Sequence, residues 1–275
     1  MKKIIALLLA LCLWVGIFAG CSTQNPGSGT TTPKVENKPA TETIAPKYVF
    51  LFIGDGMSYP QIQSTSDFLG ALKDEDYFLA QPSLDDNQGA TLDGPEYLNF
   101  MNFEAAGSAV TYDSNSFAPD SASTATSIST GRKTYSGTIN VDVTGTETFE
   151  TITEKVHGQL GMKVGIISSV NLNHATPAAF YAHQASRNNY YEIGEELVAS
   201  GFEYFAGGGL KKTTGYDKEN PLPNLYDLAK DAGYTVTFTN EEAEAITADS
   251  GKVILIDEHL ASQRSFTAFT ISAIF

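Results

Sequence analysis

Cysteine is almost missing from this sequence: there are two, Cys12 and Cys21, both in the opening segment. A fold stapled by disulfides is thereby excluded. Basic residues are also scarce, with 17 Lys and Arg against 32 Asp and Glu and a formal net charge of -15. Phosphate backbones are gripped by clustered Lys and Arg, and no such cluster occurs, so nucleic acid is excluded as a partner. The longest apolar run falls short of the roughly 20 residues that a spanning helix needs. Gly207-Gly208-Gly209 lacks the Lys-Ser/Thr that would complete a phosphate-binding loop and reads as a turn. No internal repeat is present. What the chain does have is 275 residues, 42% of them hydrophobic, which is enough to build a core in one large domain or two small ones.

The chain opens with Lys2 and Lys3, then an apolar run from Ile4 to Phe18, then Ala19-Gly20-Cys21. A charged start, a short apolar stretch and small residues before a cut describe an export signal over residues 1–20. Phe18-Ala19-Gly20-Cys21 resembles the lipobox of bacterial lipoproteins, in which the cysteine is lipidated, although that motif usually has Leu where Phe18 stands. The plainer alternative is an ordinary signal peptide with an incidental cysteine. Residues 21–46 are rich in Ser, Thr, Pro, Gly and Asn and bury too little apolar surface to offset their ordering entropy. They predict a flexible linker tethered through Cys21 to the membrane. The expected location is therefore the outside of the cytoplasm, lipid-anchored to a bacterial cell envelope.

From residue 47 the pattern alternates. Short β-rich runs occur at Lys47–Ile53, Lys163–Ile167, Phe202–Phe205, Tyr234–Phe238 and Lys252–Ile256. Helical stretches are expected over Phe149–Gln159, Asn189–Ala199, Asn224–Ala232 and Glu241–Ala248, with Gly201 and Gly233 where C-caps would fall. This rhythm predicts an α/β fold with a doubly wound, mostly parallel sheet and helices on both faces. Asp74–Pro95 interrupts it as an acidic, turn-rich surface excursion.

In open α/β sheets ligands gather at the carboxyl ends of strands. Asp55, between Gly54 and Gly56 after the first run, is either a metal ligand or the N-cap of the next helix. Asp120 is a candidate N-cap that puts Ser121 in the first turn of a small-residue helix ending near Gly131. A helix start favours an anion beside that hydroxyl, which suits a serine attacking phosphorus with help from a base or metal. A small-residue helix packed closely on a neighbour is the alternative. Asn173-His174-Ala175-Thr176-Pro177 lies in a loop after a strand, where His174 and Thr176 can meet a metal or its waters. Arg187 is either a two-pronged phosphate clamp or one half of a surface salt bridge.

Three blocks together resemble the alkaline phosphatase family, in that family's order. They are Phe52-Ile-Gly-Asp-Gly-Met57, Asp120-Ser-Ala-Ser-Thr-Ala-Thr126 with Ser129-Thr-Gly131, and His174-Ala-Thr-Pro-Ala-Ala-Phe-Tyr-Ala-His183 with Ser186-Arg187. The resemblance spans about Lys47 to Leu260. It implies hydrolysis of phosphate monoesters through a phosphoserine at Ser121, with two zinc ions and magnesium as cofactors. It further implies that Asp55 bridges one zinc and the magnesium, that Thr176 is a magnesium ligand, and that Arg187 binds phosphate. His174 would sit near the magnesium and tune that third metal site. Zinc would lower the pKa of Ser121, stabilise the leaving oxygen and activate water. A homodimer is the partner arrangement the resemblance implies.

The family's later Asp, His and Glu ligands are not found. The chain has four histidines, His157, His174, His183 and His259. His183 reads as structural and His259 stands alone after a strand, so two zinc sites of about three ligands each cannot be assembled. Residues 47–263 are thus expected to form the N-terminal part of such a domain. The apolar tail of residues 264–275 departs from the family, as a truncated or frame-shifted gene would produce, and predicts poor solubility and impaired activity. The competing expectation is a catalytically inactive surface lipoprotein that binds phosphate or a partner through Arg187 and the helix start before Ser121.

Overall fold

A computed structural model of the chain describes residues 46–73, 93–215 and 221–262. The export segment, Cys21, the linker up to residue 45, the tail from residue 263 and most of Asp74–Pro95 lie outside the described residues. The chain divides into two units, Met1–Pro46 and Lys47–Phe275, and the second holds every strand and helix of the described residues.

Four short strands, β1 (Gly165–Ser168), β2 (Tyr204–Gly207), β3 (Tyr234–Thr237) and β4 (Lys252–Ile256), form one sheet in the order β1-β2-β4-β3. Every neighbouring pair is parallel. Parallel strands need crossovers, and helices supply them: α5 (Tyr190–Ser200) between β1 and β2, α6 (Leu225–Asp231) between β2 and β3, and α7 (Asn240–Glu244) between β3 and β4. The first two crossovers run one way along the sheet and the third runs back. Right-handed crossovers then put α5 and α6 on one face and α7 on the other, the doubly wound arrangement expected. Consistently, α5 and α6 pack against each other.

The elements begin and end where local chemistry dictates. α3 (Ile152–Leu160) opens with a capping box in which the Thr151 hydroxyl accepts from the Glu154 amide while Glu154 accepts from the Thr151 amide. α2 (Ser121–Thr130) starts at Asp120, whose side chain accepts from the Ser123 amide, and stops at Gly131 in the left-handed region. α1 (Tyr59–Lys73), α4 (Ala175–Ala178) and α8 (Glu258–Ser262) are the remaining α-helices among the described residues. Phe180, Phe202, Phe205, Ile166, Ile193, Leu197, Leu225 and Ile254 are fully buried around the sheet. Among the described residues no helix is long and apolar enough to cross a membrane.

One expected strand is absent. Lys47–Ile53 is extended, yet no described ladder includes it. Leu51 and Ile53 pack on the core while Tyr48, Phe50 and Phe52 are exposed, Phe52 by 67%. Val49 is exposed as well, so the inward-outward alternation holds only over the last residues of the run, and strandhood also requires a neighbour in a ladder. β1, at the edge of the described sheet, pairs with β2 alone.

Candidate active site

Three segments distant in sequence converge on one oxygen. The Ser121 hydroxyl donates to Asp55 Oδ2 at 2.8 Å, and the Thr176 hydroxyl donates to the same atom at 2.8 Å. Asp55 sits in a tight turn closed by the Met57 amide on the Gly54 carbonyl at 3.1 Å, with Gly56 at φ 71. It does not cap α1, whose first turn is served by the Ser58 carbonyl and by Gln61 reaching back to the Ser58 amide. The N-cap alternative for Asp55 is therefore not the one the structure shows; its carboxylate instead accepts from two hydroxyls.

Ser121 and Thr176 are held in place from behind. Asn140 is fully buried and donates to the Ala179 and Ala182 carbonyls at 2.7 and 2.8 Å. Its amide donates to the Thr126 hydroxyl, and its side-chain oxygen accepts from Ser129, both on α2. One asparagine thus latches α2, which carries Ser121, to the turn following α4, which carries Thr176. Loop 169–174 is held equally firmly. Gly207 lies so near it that an added Cβ would stand 2.4 Å from the Ser168 carbonyl oxygen. The Leu172 amide reaches the Gly209 carbonyl at 2.7 Å, so the three-glycine run, expected as a turn, is instead the end of β2 and a bend that admits a neighbouring loop. Buried Asn173 donates to the Tyr190 and Lys211 carbonyls at 2.7 and 2.8 Å, which sets the backbone before His174.

Arg187 is half of an ion pair. Its guanidinium donates to Asp120 Oδ2 at 2.7 Å, an ion pair that is half-buried rather than on the surface. Asp120 immediately precedes Ser121, so the cation is anchored one residue from the hydroxyl. A guanidinium has five N–H donors, and one bond to Asp120 leaves others for an anion. Burial opposes the Asp120 charge, but the Gly137 and Ser123 amides and Arg187 outweigh it and hold the carboxyl down at about 2. The Asp120 carboxylate is therefore ionised at neutral pH.

His174 lies beside Arg187, with Nε2 3.3 Å from the guanidinium nitrogen. Burial, then the positive charges of Arg187 and Lys211, push its pKa down to about 4, against a smaller upward pull from Asp55. Neutral and accepting at Nε2, the ring carries its proton on Nδ1, which is buried and has no hydrogen-bond partner among the described residues. His183 is structural, as expected: its ring faces Glu154 at 3.4 Å and Glu196 at 3.6 Å. His157 likewise faces Glu203 at 3.4 Å and packs edge-on to Phe202. Among the described residues no group of three or more His, Cys, Asp and Glu could hold a metal ion.

The structure thus brings Asp55, Ser121 and Thr176 to one point and Arg187 and His174 to another, joined by Asp120. Sequence reasoning missed that joint, having read Asp120 only as a helix cap. It missed Asn140 altogether; one buried asparagine carries no pattern that would have marked it.

The description "alkaline phosphatase" belongs to the family model that matches residues 46–206. Alkaline phosphatase 4 of Bacillus subtilis is 27% identical over 99% of this chain and 56% of its own length. The tissue-nonspecific alkaline phosphatase of Gallus gallus is 33% identical over 54% of this chain and 27% of its own. Among solved structures, the cold-active alkaline phosphatase of a psychrophilic Shewanella aligns with a TM-score of 0.51 and 26% identity, covering 74% of this chain and 44% of that one. A His-to-Glu variant of the TAB5 alkaline phosphatase with magnesium bound in its M3 site aligns with a TM-score of 0.50 and 26% identity, covering 68% of this chain and 49% of that one. The chain therefore spans about half the length of these relatives or less. Within that span the three sequence blocks stand in the family's order, the family model covers more than half of the chain, and the chain belongs to the alkaline phosphatase family.

Proposed function

We propose that this chain carries the nucleophile half of a phosphomonoesterase site. The observation that carries this reading is the single Asp55 oxygen shared by the Ser121 and Thr176 hydroxyls. Ser121 Oγ attacks phosphorus, forming an O–P bond as the ester O–P bond breaks. The proton that Ser121 gives up ends on the departing alcohol, and water later cleaves the phosphoserine to serine and phosphate. Arg187 holds phosphoryl oxygens with the donors that Asp120 does not occupy, and the first turn of α2 adds its partial positive charge. Asp55 keeps the Ser121 proton in a hydrogen bond and leaves the oxygen lone pairs directed elsewhere.

Magnesium fits the residues present. Asp55 and Thr176 offer the oxygen donors that a hard cation prefers, and the orphaned Nδ1–H of His174 suits a water belonging to such an ion. When bound there, magnesium would supply positive charge beside the Asp55 carboxylate. Zinc does not fit the described residues, because Asp55 and Ser121 fall short of the three or more protein ligands it takes.

The substrate class proposed is phosphate monoesters. Turnover of para-nitrophenyl phosphate by the full chain with zinc and magnesium at alkaline pH tests the reaction. Acid-stable phosphate on a Ser121 peptide is the expected intermediate, lost in Ser121→Ala; turnover with no such label would overturn the role of Ser121. Weak turnover is expected, since no group of three or more His, Cys, Asp and Glu among the described residues could hold zinc. Binding without turnover is a second reading, favoured because Arg187 and the start of α2 are assembled by protein contacts alone. Calorimetry with inorganic phosphate separates the two, since tight binding without metal favours the second. We further propose export and lipid anchoring at Cys21, tested by fatty-acid labelling that Cys21→Ser should abolish. A homodimer, implied by the family, is checked by sedimentation.

A further inference from the structure

Asp113 is a carboxylate with 5% of its surface exposed, and it touches neither Arg187 nor Ser121. Its Oδ1 accepts from the Asn115 and Ser116 amides at 2.9 and 2.6 Å and so closes its own turn. Its Oδ2 accepts from two hydroxyls, Ser123 at 3.0 Å and Ser136. Each hydroxyl begins a separate path to the arginine.

The first path runs through α2. Ser123 Oγ is also 2.9 Å from Asp120 Oδ1, and the Ser123 amide donates to that same oxygen at 3.1 Å. A hydroxyl has one proton, so Ser123 shares it between two carboxylates and ties their positions together. The second path runs through the turn at Ser136. The next residue, Gly137, donates its amide to Asp120 Oδ1 at 3.0 Å and accepts the Arg187 amide at 2.7 Å. The arginine is therefore held twice, by its guanidinium on Asp120 and by its backbone on Gly137. Both grips lead back to one buried oxygen.

We propose that Asp113 is a positioning residue for Arg187, fixing through Ser123 and through Ser136 the carboxylate and the backbone that aim the guanidinium. Its importance for phosphate rests on the reading of Arg187 as the anion-binding side chain; its effect on Arg187 itself does not. Burying a carboxylate is costly unless donors meet it, and four donors meet Asp113. Asp113→Asn keeps the shape but replaces an acceptor on one side with a donor. The hydroxyls of Ser123 and Ser136 then lose their charged acceptor and must turn their protons elsewhere, so both paths change together.

The test reads Arg187 directly. The full chain is treated with phenylglyoxal, and modification is followed peptide by peptide by mass spectrometry, with exposed Arg132 as internal reference. Asp113→Asn should raise the Arg187 rate relative to Arg132 by about fivefold, the factor that one lost net hydrogen bond represents. Asp120→Asn, which removes the direct partner, should raise it further. If Asp113→Asn melts like the wild type and leaves the ratio unchanged while Asp120→Asn raises it, the proposal is overturned. Should Asp113→Asn fail to fold, the Ser123→Ala and Ser136→Ala double variant severs both paths and retains the Asp113 turn; an unchanged ratio there overturns it equally. Inorganic phosphate is titrated into the wild type alongside. If it neither binds nor protects Arg187 while the variant ratios shift, the functional reading fails and the positioning role stands.

Discussion

The opening of the described unit, residues 46–120, and the remainder, residues 121–262, are both rich in apolar side chains, yet they fare differently. In the second region Phe180, Phe202 and Phe205 are fully buried, with Phe202 and Phe205 stacked at 6.4 Å between ring centres. In the first, Tyr97, Phe103, Phe117 and Phe52 are exposed, Phe117 by 95%. Apolar content alone does not make a core. The second region alternates strands with helices of matching length, so each element has a face to cover. The first offers α1, a 3-10 turn and irregular chain, and none of it joins a described ladder.

The largest test of that contrast is a pair of phenylalanines. Phe205→Ala should cost about 3–5 kcal/mol by transfer and cavity terms, enough to unfold a marginal domain. Phe52→Ala should change stability within about 0.5 kcal/mol, as surface substitutions do. Urea midpoints measure both, and a large loss at Phe52 would mean that the opening run has a cover. Asn140→Ala comes next. It leaves the Ala179 and Ala182 carbonyls without the donor they share and Ser129 with the Thr126 carbonyl alone, and should cost about 2 kcal/mol. Because it unlatches α2 from α4, phosphate affinity should fall along with the urea midpoint.

A smaller effect sharpens the same comparison through pH. Burial alone would lower the pKa of His183, but Glu154 and Glu196 outweigh it and raise it to about 10 from the ordinary 6.5. The folded state therefore holds a proton that the unfolded chain releases near 6.5. That contribution is whole below about pH 6.5, declines above it, and is gone once pH has passed through about 10. His183→Gln should flatten this part of the stability profile, and thermal melts from about pH 6 to about 10.5 would show it. An unchanged slope would remove His183 from the account.

Much of this was readable from the residues in order. The runs at Lys163, Phe202, Tyr234 and Lys252 became strands because each is β-rich and stands between helices with clear stop signals. Lys47–Ile53 was the strongest run by composition and failed, because hydropathy reports what a segment is willing to bury and not whether a partner is there. In the site, Asp55, Ser121, Thr176, His174 and Arg187 were named from their motifs. The tie between Arg187 and Asp120 spans 67 positions and leaves no periodic trace. Nor did the buried contacts of Asn140 and Asp113, since a polar residue's type does not reveal its surroundings.

What the order of residues decided unaided is local: which stretches extend or coil, where Asp120 and Thr151 start helices, where Gly131 and Gly201 stop them, and which hydroxyl begins a helix. These properties arise from backbone sterics and from donors and acceptors a few residues apart. Tertiary structure alone decided that one carboxylate oxygen serves two hydroxyls 66 and 121 residues away, and that a buried aspartate governs an arginine it never touches. Such contacts exist only after the sheet and its crossovers have brought distant loops to a common end, where burial makes each unmatched polar group costly enough to demand its partner.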